Sequence, residues 1–159
     1  LNNIKSIYVL KRIFAHAPKR VYLGLIYHNK NFQKKLNISI NNYFIYSQQI
    51  EIEIIPTKDE LNYDDEEENE FIHIMEEKDR PFYHIYFNGG REEKKRNYIK
   101  VNDNITKIKV LIDIEVKSIT ELFNGCYCVK EIKFVKFNRT DFTDYQLMFN
   151  SCRNLIIII

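Results

Sequence analysis

The sequence predicts an α+β chain: an N-terminal helical hairpin, a central β layer and the start of a C-terminal α/β solenoid. Three observations predict it. Two apolar stripes with helical steps, separated by Pro18, fill residues 3–36. Apolar runs with period two, or rich in β-branched and aromatic residues, fill residues 43–117. The third is a phrase said twice: Ile119-Thr120-Glu121-Leu122-Phe123-Asn124-Gly125-Cys126 returns as Tyr145-Gln146-Leu147-Met148-Phe149-Asn150-Ser151-Cys152, a step of 149 − 123 = 26. The parts are accordingly residues 1–42, residues 43–117 with an acidic loop at 59–70, and residues 118–159, which hold two repeat units, the second truncated.

The first helix is carried by Ile4, Ile7, Tyr8, Leu10, Ile13 and Phe14, with Lys5, Lys11 and Arg12 off the apolar face. Pro18 ends it, because the residue before a proline disfavours the helical region. The second helix carries Val21, Leu25, Ile26, Asn29, Phe32 and Leu36, and Lys30, Lys34 and Lys35 form its wet side. As a plain reading the hairpin caps the fold.

Leu10-Lys11-Arg12-Ile13-Phe14 matches the apolar Leu-x-x-Ile-Phe of an F-box first helix. Leu23, Leu25, Asn29-Lys30 and Leu36 stand roughly where that family has its Leu-rich second helix and turn. The stretch therefore resembles a degenerate F-box, with Ile4-Lys5 in place of the family's early Leu-Pro pair. The resemblance implies a ubiquitin-ligase adaptor as partner.

In the middle, Tyr43-Phe44-Ile45-Tyr46 and Ile50-Glu51-Ile52-Glu53-Ile54-Ile55 read as strand, and Pro56 stops the run. Asp64-Asp65-Glu66-Glu67-Glu68-Asn69-Glu70 repels itself and reads as a solvated loop. It lacks the alternating ligands and bend glycine of a calcium loop. Residues 71–75 and 81–87 read as strands. Asn88-Gly89-Gly90 offers a turn, and 98–101 returns as the second arm of a hairpin with a charged tip. Residues 108–112 and 114–116 read as a second hairpin-like pair.

In each repeat Ile119, Leu122 and Phe123 fall at i, i+3, i+4, which predicts a short helix. Ser118 with Glu121 has capping-box spacing, and Gly125 suits a C-terminal stop. Val129, Ile132 and Phe134 then predict a strand, and residues 138–141 a loop. One such unit has one apolar side and must stack on another to bury it. Cys126 and Cys152 are then equivalent positions in adjacent coils, expected as small buried hydrophobes with reduced thiols.

The Leu122-Phe123…Cys126 and Met148-Phe149…Cys152 pattern, a Cys shortly after the Phe and then a short strand, resembles the leucine-rich repeats of the BspA type, found in many protist and bacterial proteins. It covers about the last quarter of the chain. The resemblance implies binding roles, from surface adhesion to intracellular protein interaction, and no catalytic residues.

Composition fits this reading. The chain of 159 residues is 45% hydrophobic with net charge +2, so no strong pull toward nucleic acid or membrane is expected. The basic residues Arg91, Lys94, Lys95 and Arg96 are diluted by Glu92 and Glu93, and Gly89-Gly90 lacks the spacing of a phosphate loop. Histidines 16, 28, 73 and 84 show no metal-ligand spacing. No signal peptide or membrane-length run stands out, and three cysteines make no disulfide framework, so a cytoplasmic protein is expected. Leu1 in place of Met, and an ending inside a strand, suggest a fragment of a longer protein with further repeats. The expected function is non-enzymatic protein–protein interaction without cofactor or metal. Alternation along the strand puts the binding face on Lys130, Lys133 and Lys136. The alternative is the substrate-receptor subunit of a ubiquitin ligase.

Overall fold

A computed structural model describes residues 6–16, 24, 29–37, 45, 48–57, 68–139, 141, 142 and 144–159. The chain divides into two compact units, Leu1–Ser47 and Gln48–Ile159.

In the first unit α1 spans Ile7–His16 and α2 spans Lys30–Leu36. Ser6 stands at the start of α1, its carbonyl accepting from Leu10 N–H. Leu10 is fully buried. Asn29, expected inside the second helix, instead caps α2 from an extended conformation. Its Oδ1 accepts from Asn31 N at 3.1 Å and Phe32 N at 3.2 Å. Asn37 closes α2 in the left-handed region, and Phe32 and Leu36 are buried. Residues 17–23 and 25–28, where the tight proline link and the start of the second helix were expected, lie outside the described residues, as does most of the 43–46 strand.

The second unit is built on one five-stranded sheet. Its strands are β1 (Ile50–Pro56), β3 (Tyr83–Phe87), β5 (Ile108–Ile112), β6 (Val129–Lys136) and β7 (Ile157–Ile158), in the order β3-β5-β1-β6-β7. A separate pair joins β2 (Asn69–Glu70) to β4 (Tyr98–Ile99). The period-two run of β1 explains its central place. Ile50, Ile52 and Ile54 are each 0% exposed, and they face Ile112, Val110 and Ile108 of antiparallel β5. On the other side Ile54 and Ile52 face Ile132 and Phe134 of antiparallel β6. Each such side chain contributes roughly 1.5–3 kcal/mol on burial. Phe71, Ile72, Leu122, Phe123 and Cys126 complete the core beneath this face.

This architecture corrects the expected fold class. The second unit is a mixed sheet, and these helices among the described residues are short: ten residues in α1, seven in α2 and six in a 3-10 helix over Glu77–Phe82. It is not a helical hairpin followed by an α/β solenoid. The helix expected from Ile119 does not form, because Glu121 has φ of 58° and Gly125 has φ of 70°, and an α-helix admits neither. Residues 120–125 are successive turns. Leu122, Asn124 and Cys126 donate N–H bonds three residues back. Between them Glu121, Phe123 and Gly125 donate sideways to the carbonyls of Gln146, Met148 and Asn150. A helix would have used these donors within itself.

Pairing in the middle also departs from expectation. The hairpin of 81–87 with 98–101 is replaced by antiparallel pairing of β3 with β5, and β4 pairs with β2. Asn88 directs the exchange: its N–H donates to Lys107 O, and its Oδ1 accepts from Thr106 N at 2.9 Å and Lys107 N at 3.2 Å. Phe71 and Ile72, expected in a strand, are buried in a bend. Asn97 holds that bend, its Nδ2 donating to Ile72 O at 3.0 Å and Glu70 Oε1 at 3.1 Å.

Candidate interaction surface

Two coils follow one another at the C-terminal side of the sheet. Strand β7 lies parallel to β6, with Glu131 opposite Ile157 and Ile132 opposite Ile158. The Phe123 and Phe149 rings stack with centroids 5.7 Å apart and planes 4° apart. Asn150 Nδ2 donates to Asn124 Oδ1 at 3.0 Å across 26 residues. The backbone repeats as well: Glu121 and Leu147 share positive φ, 58° and 53°, and Gly125 and Ser151 share 70° and 57°.

The first coil is covered on both sides and the second on one. Ile119, Leu122, Phe123 and Cys126 are buried; of their counterparts Met148 is buried too, but Tyr145 is 46% exposed, and Phe149 and Cys152 are half-buried. Ile156, Ile157, Ile158 and Ile159 are all exposed on the edge strand and its flanks. Between this edge and the second coil lies an apolar groove of about 360 Å³ lined by Phe134, Phe137, Tyr145, Met148, Phe149 and Ile158. An apolar edge strand beside an apolar groove can take a further extended segment: backbone groups supply affinity and side-chain pockets supply selection.

Of the three lysines expected to form the binding face, two stand side by side on the sheet. Register puts Lys133 opposite Glu53 and Lys136 opposite Glu51, on the open face of the sheet. There the two carboxylates also meet Lys107 and Lys109, Lys107 Nζ to Glu53 Oε1 at 2.8 Å and Lys109 Nζ to Glu51 Oε1 at 2.5 Å. This face is a lattice of alternating charge, not a basic strip. Lys130 stands at the irregularity between the Ile55–Glu131 and Pro56–Val129 pairs, and its carbonyl accepts from Ile156 N–H. The structure thus brings Lys133 and Lys136 together and sets Lys130 apart.

A polar centre that the sequence does not announce lies at the far end of the sheet. His84 Nε2 is 2.9 Å from Asp113 Oδ2, and its Nδ1 is 3.3 Å from Glu93 Oε2. Gln49 Nε2 donates to Asp113 Oδ1, and Arg139 Nη1 donates to the Asp113 carbonyl at 3.2 Å. The Arg139 side chain is fully buried, lies over the Phe142 ring at 4.0 Å and forks onto both Asp141 oxygens. Its pairing holds the Asp141 carboxyl at about 2, below the usual range. His84, Glu93, Asp113 and Arg139 come from four separate stretches, so no spacing could have joined them.

Among the described residues no group of three or more His, Cys, Asp or Glu could hold a metal ion. Cys126, Cys128 and Cys152 are free thiols, and burial pushes Cys128 up to about 12. No described helix is long and apolar enough to cross a membrane. Comparison with known protein families, curated proteins and solved structures finds no match.

Proposed function

We propose that this chain is a non-enzymatic protein-recognition module whose β7 edge takes a further extended apolar segment, either a following coil of the same protein or a segment of a partner. The observation that carries the reading is the exposed Ile157–Ile158 edge beside the groove floored by Met148 and Phe149. The likeness of the repeat to BspA-type leucine-rich repeats supports the same reading. Panning a random peptide library against the chain tests it. Peptides with alternating apolar residues should be enriched, and Ile158→Lys should weaken them about tenfold, or about 1.4 kcal/mol. Ile158 is half exposed, so this change leaves the core intact. Lys133→Glu should leave binding unchanged. Absence of enrichment, or binding indifferent to Ile158→Lys, overturns the proposal, as does enrichment only of acidic peptides that depend on Lys133.

A second reading rests on α1, where Ile7, Tyr8, Val9 and Ile13 are exposed although apolar. Of these, Val9 and Ile13 lie one turn apart on the same face, which suits docking to a ubiquitin-ligase adaptor. Binding of a purified adaptor, abolished by Ile13→Asp, would support it; no binding to the intact chain would remove it.

A further inference from the structure

The segment 73–79 runs against the start of the first coil and leaves a cavity of about 230 Å³ there. His73 N–H donates to Leu122 O at 2.8 Å and ties the two walls together. Ile74, Met75 and Leu122 give the cavity an apolar side; Asp79, Tyr83, Ser118 and Thr120 give it a polar one. Its volume suits a group the size of one side chain and falls below the roughly 300–1,000 Å³ of sites for larger ligands.

The polar side is arranged for a cation. Glu76 also lines the cavity, but Lys78 meets its charge, and Arg80 meets that of nearby Glu77 at 2.9 Å. Asp79 makes no salt bridge among the described residues, and only the more distant charge of Lys78, which is bound to Glu76, acts on it. Tyr83 is 6% exposed, and its hydroxyl has no hydrogen-bond partner among the described residues. Tyr83 is one of the residues that line this cavity, and no fully buried side-chain oxygen among the described residues lacks a partner. Burial, aided by the negative charge of Asp79, pushes the phenol upward, so it stays neutral. Ser118 Oγ donates to Thr120 Oγ1 at 2.9 Å and presents the hydroxyl pair as one unit.

We propose that this cavity binds a primary ammonium group on a short aliphatic arm. Asp79 is the counter-ion, the Tyr83 and Thr120 hydroxyls accept from the ammonium, and Leu122 and Met75 flank the methylenes. An ammonium has three donors and no acceptor, which suits a cavity lined by a carboxylate and hydroxyl groups. An anion would meet Asp79 and Glu76 unfavourably. The ammonium comes either from a lysine side chain of a partner protein or from a free alkylamine. The site shares no residue with the groove beside β7, so either proposal stands or falls alone.

The test is an amide NMR titration of the whole chain at about pH 8, where an ordinary imidazole is neutral. The probes are butylammonium chloride, 1-butanol and Nα-acetyl-lysine N-methylamide at constant ionic strength. Butylammonium should shift the Thr120 and Leu122 amides saturably, and butanol should not. Asp79→Asn should weaken binding about tenfold, and Tyr83→Phe several-fold, with the remaining spectrum unchanged. Equal binding of the lysine amide assigns the site to a protein side chain; binding of butylammonium alone assigns it to a free amine. Shifts that do not saturate, butanol as effective as butylammonium, or Asp79→Asn as tight as the parent would each overturn the proposal.

Discussion

Asn150 donates its side-chain amide to the side-chain oxygen of Asn124 at 3.0 Å, across 26 residues. The same step separates the stacked Phe123 and Phe149 rings and the paired Ile132 and Ile158. Side chain, aromatic ring and backbone therefore share one translation, and several expectations rest on it.

The two stacked phenylalanines should differ in energetic weight. Phe123 is 0% exposed and Phe149 only half-buried. Phe123→Ala should cost about 3–5 kcal/mol, as for a large core aromatic, and Phe149→Ala clearly less. Urea midpoints of the two variants decide it. Equal losses would mean that the second coil is as covered as the first.

Gly125 has φ of 70°, and an added Cβ there meets nothing within 4 Å. Only backbone strain then opposes a side chain. Ser151 already tolerates φ of 57° at the equivalent place. Gly125→Asn should cost about 1 kcal/mol or less and Gly125→Val about 2 kcal/mol, because Asn visits the left-handed region and a β-branched residue does not. Thermal melts that rank valine at or above asparagine would contradict this geometry.

Stability should depend on pH through His84. Burial disfavours its imidazolium, but hydrogen bonds and charges from Asp113 and then Glu93 outweigh that, and its pKa is raised. Lys95 also pairs with Glu93 at 2.5 Å. A raised folded pKa adds stability below the unfolded value of about 6.5 and loses it as pH rises through the folded value. His84→Gln should therefore destabilise more at about pH 5.5 than at about pH 8.5. Denaturant midpoints at the two pH values test this, and identical losses would exclude the two carboxylates as the imidazolium's partners.

The buried Arg139 depends on Asp141 for its fork. Asp141→Asn should cost about 1.5–3 kcal/mol, the range for a hydrogen bond to a charged group. Because the Asp141 carboxyl is held at about 2, its contribution should persist above the ordinary carboxylate value and vanish only as pH falls through about 2. An unchanged Tm for Asp141→Asn at neutral pH would show that Phe142 and the Asp113 carbonyl hold the guanidinium alone.

The sequence by itself determined what is periodic and local. The alternation of Ile50, Ile52 and Ile54 specified a strand with one buried face, and the turn residues Asn88-Gly89 ended another. The 26-residue phrase marked Phe149 and Met148 of the candidate groove as apolar repeat positions. Tertiary structure decided the rest. The step i, i+3, i+4 at Ile119, Leu122 and Phe123 fits a helix and a chain of turns equally well. The choice fell to turns because the Glu121, Phe123 and Gly125 N–H groups find acceptors on the neighbouring coil. Strand partners were decided the same way: Asn88 bonds to residues 106 and 107 and aligns β3 with β5. That Phe134, Phe137 and Ile158 line one groove, or that His84 meets Asp113, depends on contacts between stretches far apart in sequence. Periodicity reports which face of a segment avoids water; it carries no information about which distant segment will cover that face.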